Sequence, residues 1–348
     1  MTASLAPWLE TPLKRALAMP AHALLLHGPG PLGQLELGLE IARSMLCESP
    51  AQGRACARCT ACHLFDSRSH ADFMLLIPDA LRERLGWSTA EDEESKTKVK
   101  PSRDIKVAAV RSAIDWAHQT SSRGRAKVLM FHPAEAMNDV AANALLKTLE
   151  EPPGALRVLL TASDPEALLP TVRSRCQRVA INAPARPAAL AWLEEQGAGD
   201  AAGLLAAGAG LPHAALALHE DGIDAAAWSR VPGRVRRGQG AALAAWPVSR
   251  VVEALHKLCH DLMSLAGGAA PRYFDAESLA PAAHPSVPPM AALNAWEREL
   301  RQAARHDEHP WNAPLRVEAL VAQAAVMWQT ARDAPSGQRR ALATLLRP

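Results

Sequence analysis

Four of the six cysteines, Cys47, Cys56, Cys59 and Cys62, fall within sixteen residues and leave eight, two and two residues between them. Zinc takes four soft ligands in a tetrahedron, and a C-x-x-C pair delivers two thiolates from one tight turn. Unrelated free thiols would not cluster in this way, so the spacing predicts a zinc module over residues 47–62. With cysteine at all four positions no coordination site stays open, and the metal would be structural rather than catalytic. Arg54 and Arg58 stand alongside and would offset the charge of a tetrathiolate site. His63 and His70 are spare donors nearby but read as ordinary polar residues. Cys176 and Cys259 lie in apolar contexts and read as buried, inert thiols.

A second group of residues has the frame of a phosphate site without its reactive members. Gly28-Pro29-Gly30-Pro31-Leu32-Gly33-Gln34-Leu35 follows an apolar run and precedes a helical pattern, and Gly28 and Gly33 have the spacing of the G-x-x-x-x-G-K-[ST] loop. In such a loop, backbone N–H groups converge on phosphate oxygens at a helix N-terminus, a lysine holds the β/γ-phosphates and a hydroxyl holds Mg²⁺. Here those last two positions are Gln34 and Leu35. Leucine cannot ligate a metal, and glutamine carries no charge to offset a triphosphate. Val128-Leu129-Met130-Phe131 then runs into His132-Pro133, where an active ATPase would present carboxylates. Gly28, Gly30, Gly33, Gln34 and Leu35 therefore read as a degenerate loop that does not hydrolyse ATP, although as an isolated motif a plain Gly/Pro turn fits equally well.

A third set is Arg173-Ser174-Arg175-Cys176, on a short turn leading into a strand. By themselves, surface arginines are mostly solvated or weakly paired.

The elements that must position these groups alternate in type. Ala23–His27, Phe73–Ile77, Lys127–Phe131, Leu156–Thr161 and Gln177–Ile181 are short apolar runs. Between them, Gln34–Leu46, Ile105–Gln119 and Ala141–Glu151 place apolar residues at helical spacing. Asp164-Pro165-Glu166 has an N-cap acid, a first-turn proline and a second acid, which favours a further helix start. Strands alternating with helices pair in parallel through crossovers, so the first half is an α/β sheet covered on both faces. Residues 79–103 mix Glu91–Glu94 with Lys96, Lys98 and Lys100 and read as a flexible charged loop. Beyond Pro184 strand signals vanish. Ala188–Glu195 and Ala201–Glu220 read as short helices, Val231–Gly240 as a Gly/Arg-rich linker, and Val251–Leu265, Pro289–Arg305 and Leu315–Arg332 as longer amphipathic helices.

With 348 residues the chain exceeds what one core supports, so two or three domains are expected. A composition of 49% hydrophobic and 21% charged residues is that of a folded protein, which excludes disorder as the default. The net charge of +2 is too small for autonomous DNA binding, and any DNA contact would be shared with partners. Residues 1–18 lack the uninterrupted apolar stretch of a signal peptide, and no run reaches the length of a membrane span. Cysteines at metal-like spacing suit a reducing compartment, and the chain reads as cytoplasmic.

Asn143-Ala144-Leu145-Leu146-Lys147-Thr148-Leu149-Glu150-Glu151-Pro152-Pro153, then Leu159-Leu160-Thr161-Ala162 and Ser174-Arg175-Cys176, is similar to the signature of the clamp-loader branch of the AAA+ family, which contains the bacterial DNA polymerase III gamma/tau and delta-prime subunits. The resemblance covers the first half, including the four-cysteine insertion, and extends only loosely to the helical remainder. His309-Pro310-Trp311-Asn312 weakly fits a collar-type C-terminus. The resemblance implies an AAA+ core with zinc module over residues 1–182, a small all-α lid over 183–225 and an all-α collar over 226–348. It implies that Arg175, with Ser174 and Cys176 as its motif, is an arginine finger reaching the ATP site of a neighbouring subunit, where a guanidinium in trans stabilises transition-state charge. Gamma/tau subunits keep the loop lysine and threonine, so Gln34 and Leu35 point to the delta-prime type. Gly210-Leu211-Pro212-His213 at the position of the lid's sensing arginine points the same way. The implied partners are gamma/tau and delta subunits, with which the chain would load a sliding clamp onto primed DNA, as part of a polymerase holoenzyme. Two alternatives stand beside this: a gamma/tau-like active P-loop ATPase, against which His132-Pro133 speaks, and a zinc-dependent DNA-binding protein, for which Arg43, Arg54, Arg58 and Arg68 are few.

Overall fold

A computed structural model of the chain describes residues 5–82, 85–87, 101–283, 287–305 and 312–332. Of the charged loop expected over 79–103, residues 83–84 and 88–100 lie outside the described residues, as do His309, Pro310 and Trp311, whereas Asp79–Arg82 are a helical turn rather than loop. The chain divides into two compact units after Pro184.

The first unit contains helix α1 (Glu10–Ala18), strand β1 (Ala23–His27), α2 (Gln34–Leu46), α3 (Thr60–Asp66), β2 (Phe73–Leu76), α4 (Asp79–Arg82), α5 (Val107–His118), β3 (Lys127–Phe131), α6 (Asp139–Glu150), β4 (Leu156–Ala162), α7 (Pro170–Arg173) and β5 (Gln177–Ala180). The five strands form one sheet in the order β2-β3-β4-β1-β5, every pair parallel. All five strands read from the sequence are present. Their composition explains the arrangement: Val128, Leu129, Met130 and Phe131 are fully buried, and a strand with no polar alternation needs cover on both faces. Leu145 and Leu149 of α6 and Val110 and Ala113 of α5 join Leu129, Phe131, Val158 and Leu160 in one core cluster.

Parallel pairing also fixes which loops share an edge. Leu24 pairs with Leu159 of β4 and with Gln177 of β5, whereas His27 pairs with Ala162 and Ala180. Loops after β1, β3 and β4 therefore emerge together at one edge, and the turns entering β4 and β5 lie at the opposite edge. The helix start at Asp164 is a single 3-10 turn, Pro165–Ala167, with the Asp164 carboxylate accepting the Glu166 N–H at 3.0 Å. It stops because Leu168 and Leu169 are extended, the conformation that Pro170 imposes on the residue before it.

The second unit is all-helical among the described residues: α8 (Arg186–Glu195), α9 (Ala201–Ala207), α10 (Pro212–Glu220), α11 (Ala225–Ser229), α12 (Val231–Arg236), α13 (Val248–Ala266), α14 (Ala276–Ala283), α15 (Met290–Arg305) and α16 (Ala313–Arg332). In α13, Val251, Leu255, Leu258 and Leu262 recur on one face and are fully buried. Asp261 on the same helix is also fully buried and accepts the backbone N–H groups of Arg272, Tyr273 and Phe274 at 2.8, 2.8 and 2.9 Å, which satisfies the carboxylate. The stretch from Val231 to Gly240 is not a linker. Its apolar residues Val231, Pro232 and Val235 are buried in α12, and a Cβ on Gly240 would stand 2.6 Å from the Cα of Glu318. Glycine there serves close backbone packing, which composition alone does not separate from flexibility.

Candidate functional site

The four cysteines converge. Cys47 ends α2, Cys59 caps α3 with its Sγ accepting the Cys62 N–H at 3.4 Å, and the Cys56 N–H points to Cys47 Sγ at 3.2 Å. A tight Ala51–Arg54 bridge, with Gln52 and Gly53 at positive φ, returns the chain from α2 toward Cys56. All four Sγ atoms lie within 4.8 Å of one another, and Cys47 Sγ is 3.8 Å from Cys59 Sγ. A metal with sulfur ligands at about 2.3 Å requires S–S edges of roughly 3.8 Å, so the donor set fits a tetrahedral ion. Four thiolates cannot share so small a volume unless a cation offsets them, and the individual thiols diverge accordingly. The Arg58 backbone N–H holds Cys56 down to about 6, while burial pushes Cys62 up to about 12. Arg54 does not face the sulfurs: it pairs with Glu10 at 3.0 Å and with Glu40 at 3.9 Å. Arg43 of α2 is buried, pairs with Asp66 at 2.7 Å and interacts electrostatically with Cys62, a neighbour that the spacing of the cysteines does not announce.

The Gly28–Leu35 loop leaves β1 and enters α2, as the pattern predicts. A Cβ on Gly28 would meet the Ile181 carbonyl at 2.5 Å, and Gly30 and Gly33 have φ of 76° and 94°, so all three positions require glycine. Gln34 is buried and its amide is turned back into the loop. Oε1 accepts the Leu32 N–H at 2.9 Å, and Nε2 donates to the Gly30 carbonyl at 2.6 Å. A loop N–H of the kind that binds phosphate thus has a partner in its own chain. Leu35 is half-buried and offers nothing to a metal.

At the end of β3 the chain continues into His132. Thr161 donates its hydroxyl proton to the Phe131 carbonyl at 3.1 Å, so its contact with His132 Nδ1 at 2.7 Å has the imidazole as donor. Glu135, the next carboxylate along the chain, accepts the backbone N–H groups of Ser163 and Asp164 at 2.5 and 2.8 Å.

Arg175 stands between α7 and β5, at the sheet edge opposite the Gly28–Leu35 loop. Its Nε donates to Glu150 Oε1 at 2.8 Å, Nη2 pairs with the same oxygen, and Nη1 donates to the Thr171 carbonyl at 2.9 Å. Ser174 Oγ donates to that same Thr171 carbonyl at 3.2 Å and holds the turn. Cys176 is buried against the core, where burial pushes its thiol up to about 12. Ser174 is exposed and Arg175 half-buried, so of the three only Cys176 is closed to solvent. Glu150, read only as part of a motif, is the partner of Arg175, a pairing between residues 25 apart that no local spacing reveals.

No single helix among the described residues is long and apolar enough to cross a membrane.

Residues 10–185 match the family described as DNA polymerase III, delta subunit. The chain is similar to the DNA polymerase III subunit delta' of Pseudomonas aeruginosa, 38% identical over 210 residues that cover 59% of this chain and 58% of the relative. It is also similar to the subunit of the same name in Escherichia coli, 33% identical over 62% of this chain and 60% of the relative. The DNA polymerase III subunit gamma of Buchnera aphidicola is 31% identical over 46% of this chain and 38% of its own length. The chain spans about six tenths of the length of the two delta' relatives it matches.

Proposed function

The chain belongs to the DNA polymerase III delta-subunit family, and we propose that it acts as the delta-prime subunit of a bacterial clamp loader. In this reading it is an AAA+ subunit that does not hydrolyse ATP, works in the cytoplasm with gamma/tau and delta subunits, and helps to place a sliding clamp on primed DNA. Residues 1–182 are the AAA+ core, 183–225 the lid and 226–348 the collar that joins the oligomer.

The observation that carries the non-hydrolysing role is the Gln34 amide folded into the loop. Catalysis of phosphoryl transfer rests on positioned positive charge and a metal at the phosphates. At this loop the lysine position is a neutral amide bonded to its own backbone, and the hydroxyl position is Leu35. No carboxylate follows β3 at His132-Pro133. The only role left for the chain in hydrolysis is to complete a site on another subunit.

Arg175 is the group for that role. Its sheet edge is the one away from its own loop, so its guanidinium serves a site in trans, where it adds charge to the γ-phosphoryl group as hydrolysis proceeds. Ser174 and Cys176 fix the turn that carries it. Cys47, Cys56, Cys59 and Cys62 hold zinc, which supplies four strong bonds within a loop-rich segment and takes no part in the reaction.

The test is steady-state ATP hydrolysis by the purified chain alone, and by a reconstituted loader containing wild-type or Arg175→Ala protein with clamp and primed DNA. No turnover alone and a large drop with Arg175→Ala is the expected result. Robust turnover by the isolated chain would overturn the non-hydrolysing role, and an unaffected assembly would remove Arg175 from it.

A further inference from the structure

Arg175 does not project freely from its turn. Three of its donor groups are engaged within the chain, two of them on a single oxygen of Glu150. A finger acts through its charge, and a guanidinium lying against a carboxylate has that charge largely cancelled. We propose that Glu150 is an intrasubunit latch: it holds Arg175 in a neutralised position, and the terminal phosphate of a nucleotide bound to the neighbouring subunit displaces it. The proposal rests on the finger role given above.

Three features of the pair suit a latch that must open. Glu150 is the last residue of α6, where the helix dipole is negative and disfavours a carboxylate, so a cation nearby relieves it and local helix stability gives no reason for its presence. Both side chains are partly exposed, Arg175 by 33% and Glu150 by 47%, so water can rehydrate the carboxylate once the arginine leaves. The second contact, Nη1 to the Thr171 carbonyl, involves a neutral acceptor that a phosphate outcompetes. An exposed ion pair is weak, whereas a bidentate guanidinium–phosphate contact in a desolvated interface is strong, and the exchange runs toward phosphate only when the nucleotide and the neighbour are both in place. Glu151, the adjacent carboxylate, makes no comparable contact with Arg175 and provides a control of equal charge.

The population of the open arginine scales the apparent rate, because the competent fraction multiplies the intrinsic one. Breaking a pair of this exposure changes that fraction by about two- to fivefold. The experiment measures ATP hydrolysis against ATP concentration in the reconstituted loader with clamp and primed DNA, for wild type, Glu150→Gln, Glu151→Gln, Arg175→Ala and the Glu150→Gln/Arg175→Ala double variant. Glu150→Gln is expected to raise kcat/KM by about two- to fivefold at low salt, with the gain shrinking toward unity as salt screens the pair. Glu151→Gln stays at the wild-type value. The double variant is expected to match Arg175→Ala alone, since a latch has no effect without its arginine. If Arg175→Ala lowers the rate but Glu150→Gln leaves it unchanged or lowers it, the latch is wrong while the finger stands. If Arg175→Ala is without effect, the finger fails and the latch fails with it.

Discussion

The side-chain oxygen of Gln34 accepts the backbone N–H of Leu32 at 2.9 Å, closing a ring inside the turn between β1 and α2. This N–H belongs to the glycine loop between β1 and α2, and the amide gives it a partner within the chain. Gln34→Ala would leave the buried donor without a partner, which costs about 1–3 kcal/mol. Thermal or denaturant unfolding should show that loss, and an unchanged midpoint would mean that water replaces the amide without cost. Restoring the lysine and hydroxyl with Gln34→Lys/Leu35→Thr is expected to give no ATP turnover by the isolated chain, because His132 still stands where the acid is needed. Phosphate release above background from that variant would show that the loop, not the end of β3, is the block.

Metal removal has a different signature. The cysteines tie the end of α2 to the start of α3 through eight intervening residues and two short turns, so their contribution is local order as well as binding energy. Dialysis against a strong chelator is expected to release one equivalent of zinc, expose four reactive thiols to a colorimetric reagent and lower the melting temperature. Cys56→Ala should do the same, since three thiolates leave one tetrahedral position to water. A chain that melts identically with and without chelator would exclude a structural metal.

How much of this was legible in the sequence depended on the range over which each contact acts. The strands were legible because a two-faced sheet demands runs such as Val128–Phe131, and the cysteine set because C-x-x-C pairs fix two ligands locally. Gly28, Gly30 and Gly33 were legible as a loop, yet the turning back of Gln34 was not, because residue type says which atoms a side chain has and not which of them it uses. Glu150 lay in a recognised motif but its partner comes from a turn 25 residues later, brought alongside by the strand order β4-β1-β5. Arg54 lies beside the thiolates in sequence, yet Glu10, 44 residues away, takes it instead. Val231–Gly240 misled for a related reason: glycine marks close packing as often as slack chain, and only Glu318, far along the sequence, decides between them.

Asp72 offers a pH test of the first unit. Burial pushes its carboxyl up, but the Ser122 and Arg123 N–H groups and the Ser121 and Ser122 hydroxyls outweigh burial and hold it below the ordinary aspartate range. A carboxyl lowered in the folded state binds its proton more readily when unfolded. Its stabilisation is therefore complete above the unfolded value of about 3.9 and is lost as the pH falls through the folded value. Wild-type protein should lose stability on the acid side of about pH 4, and Asp72→Asn should be less stable at pH 7 with a shallower decline below about pH 4. Denaturant midpoints across that range would decide it, and parallel wild-type and variant curves would show that Asp72 is not the titrating group.

Arg175 and Cys176 are neighbours in sequence with opposite exposure, which separates their contributions. Arg175→Ala removes a partly exposed ion pair and a contact to the exposed Thr171 carbonyl, so stability should change by no more than about 1 kcal/mol. Cys176→Ser keeps the shape of the side chain but places a hydroxyl in the apolar cluster around Leu168 and Val172, where a group without a partner costs about 1–3 kcal/mol. In the reconstituted loader the order should reverse: Arg175→Ala loses most of the ATP turnover while its melting temperature holds, and Cys176→Ser keeps turnover at temperatures below its lowered melting point. Unfolding curves and hydrolysis rates on the same two variants test this directly. Equal loss of turnover in proportion to lost stability would mean that the turn matters only as part of the fold, whereas loss confined to Arg175→Ala assigns the chemistry to its guanidinium.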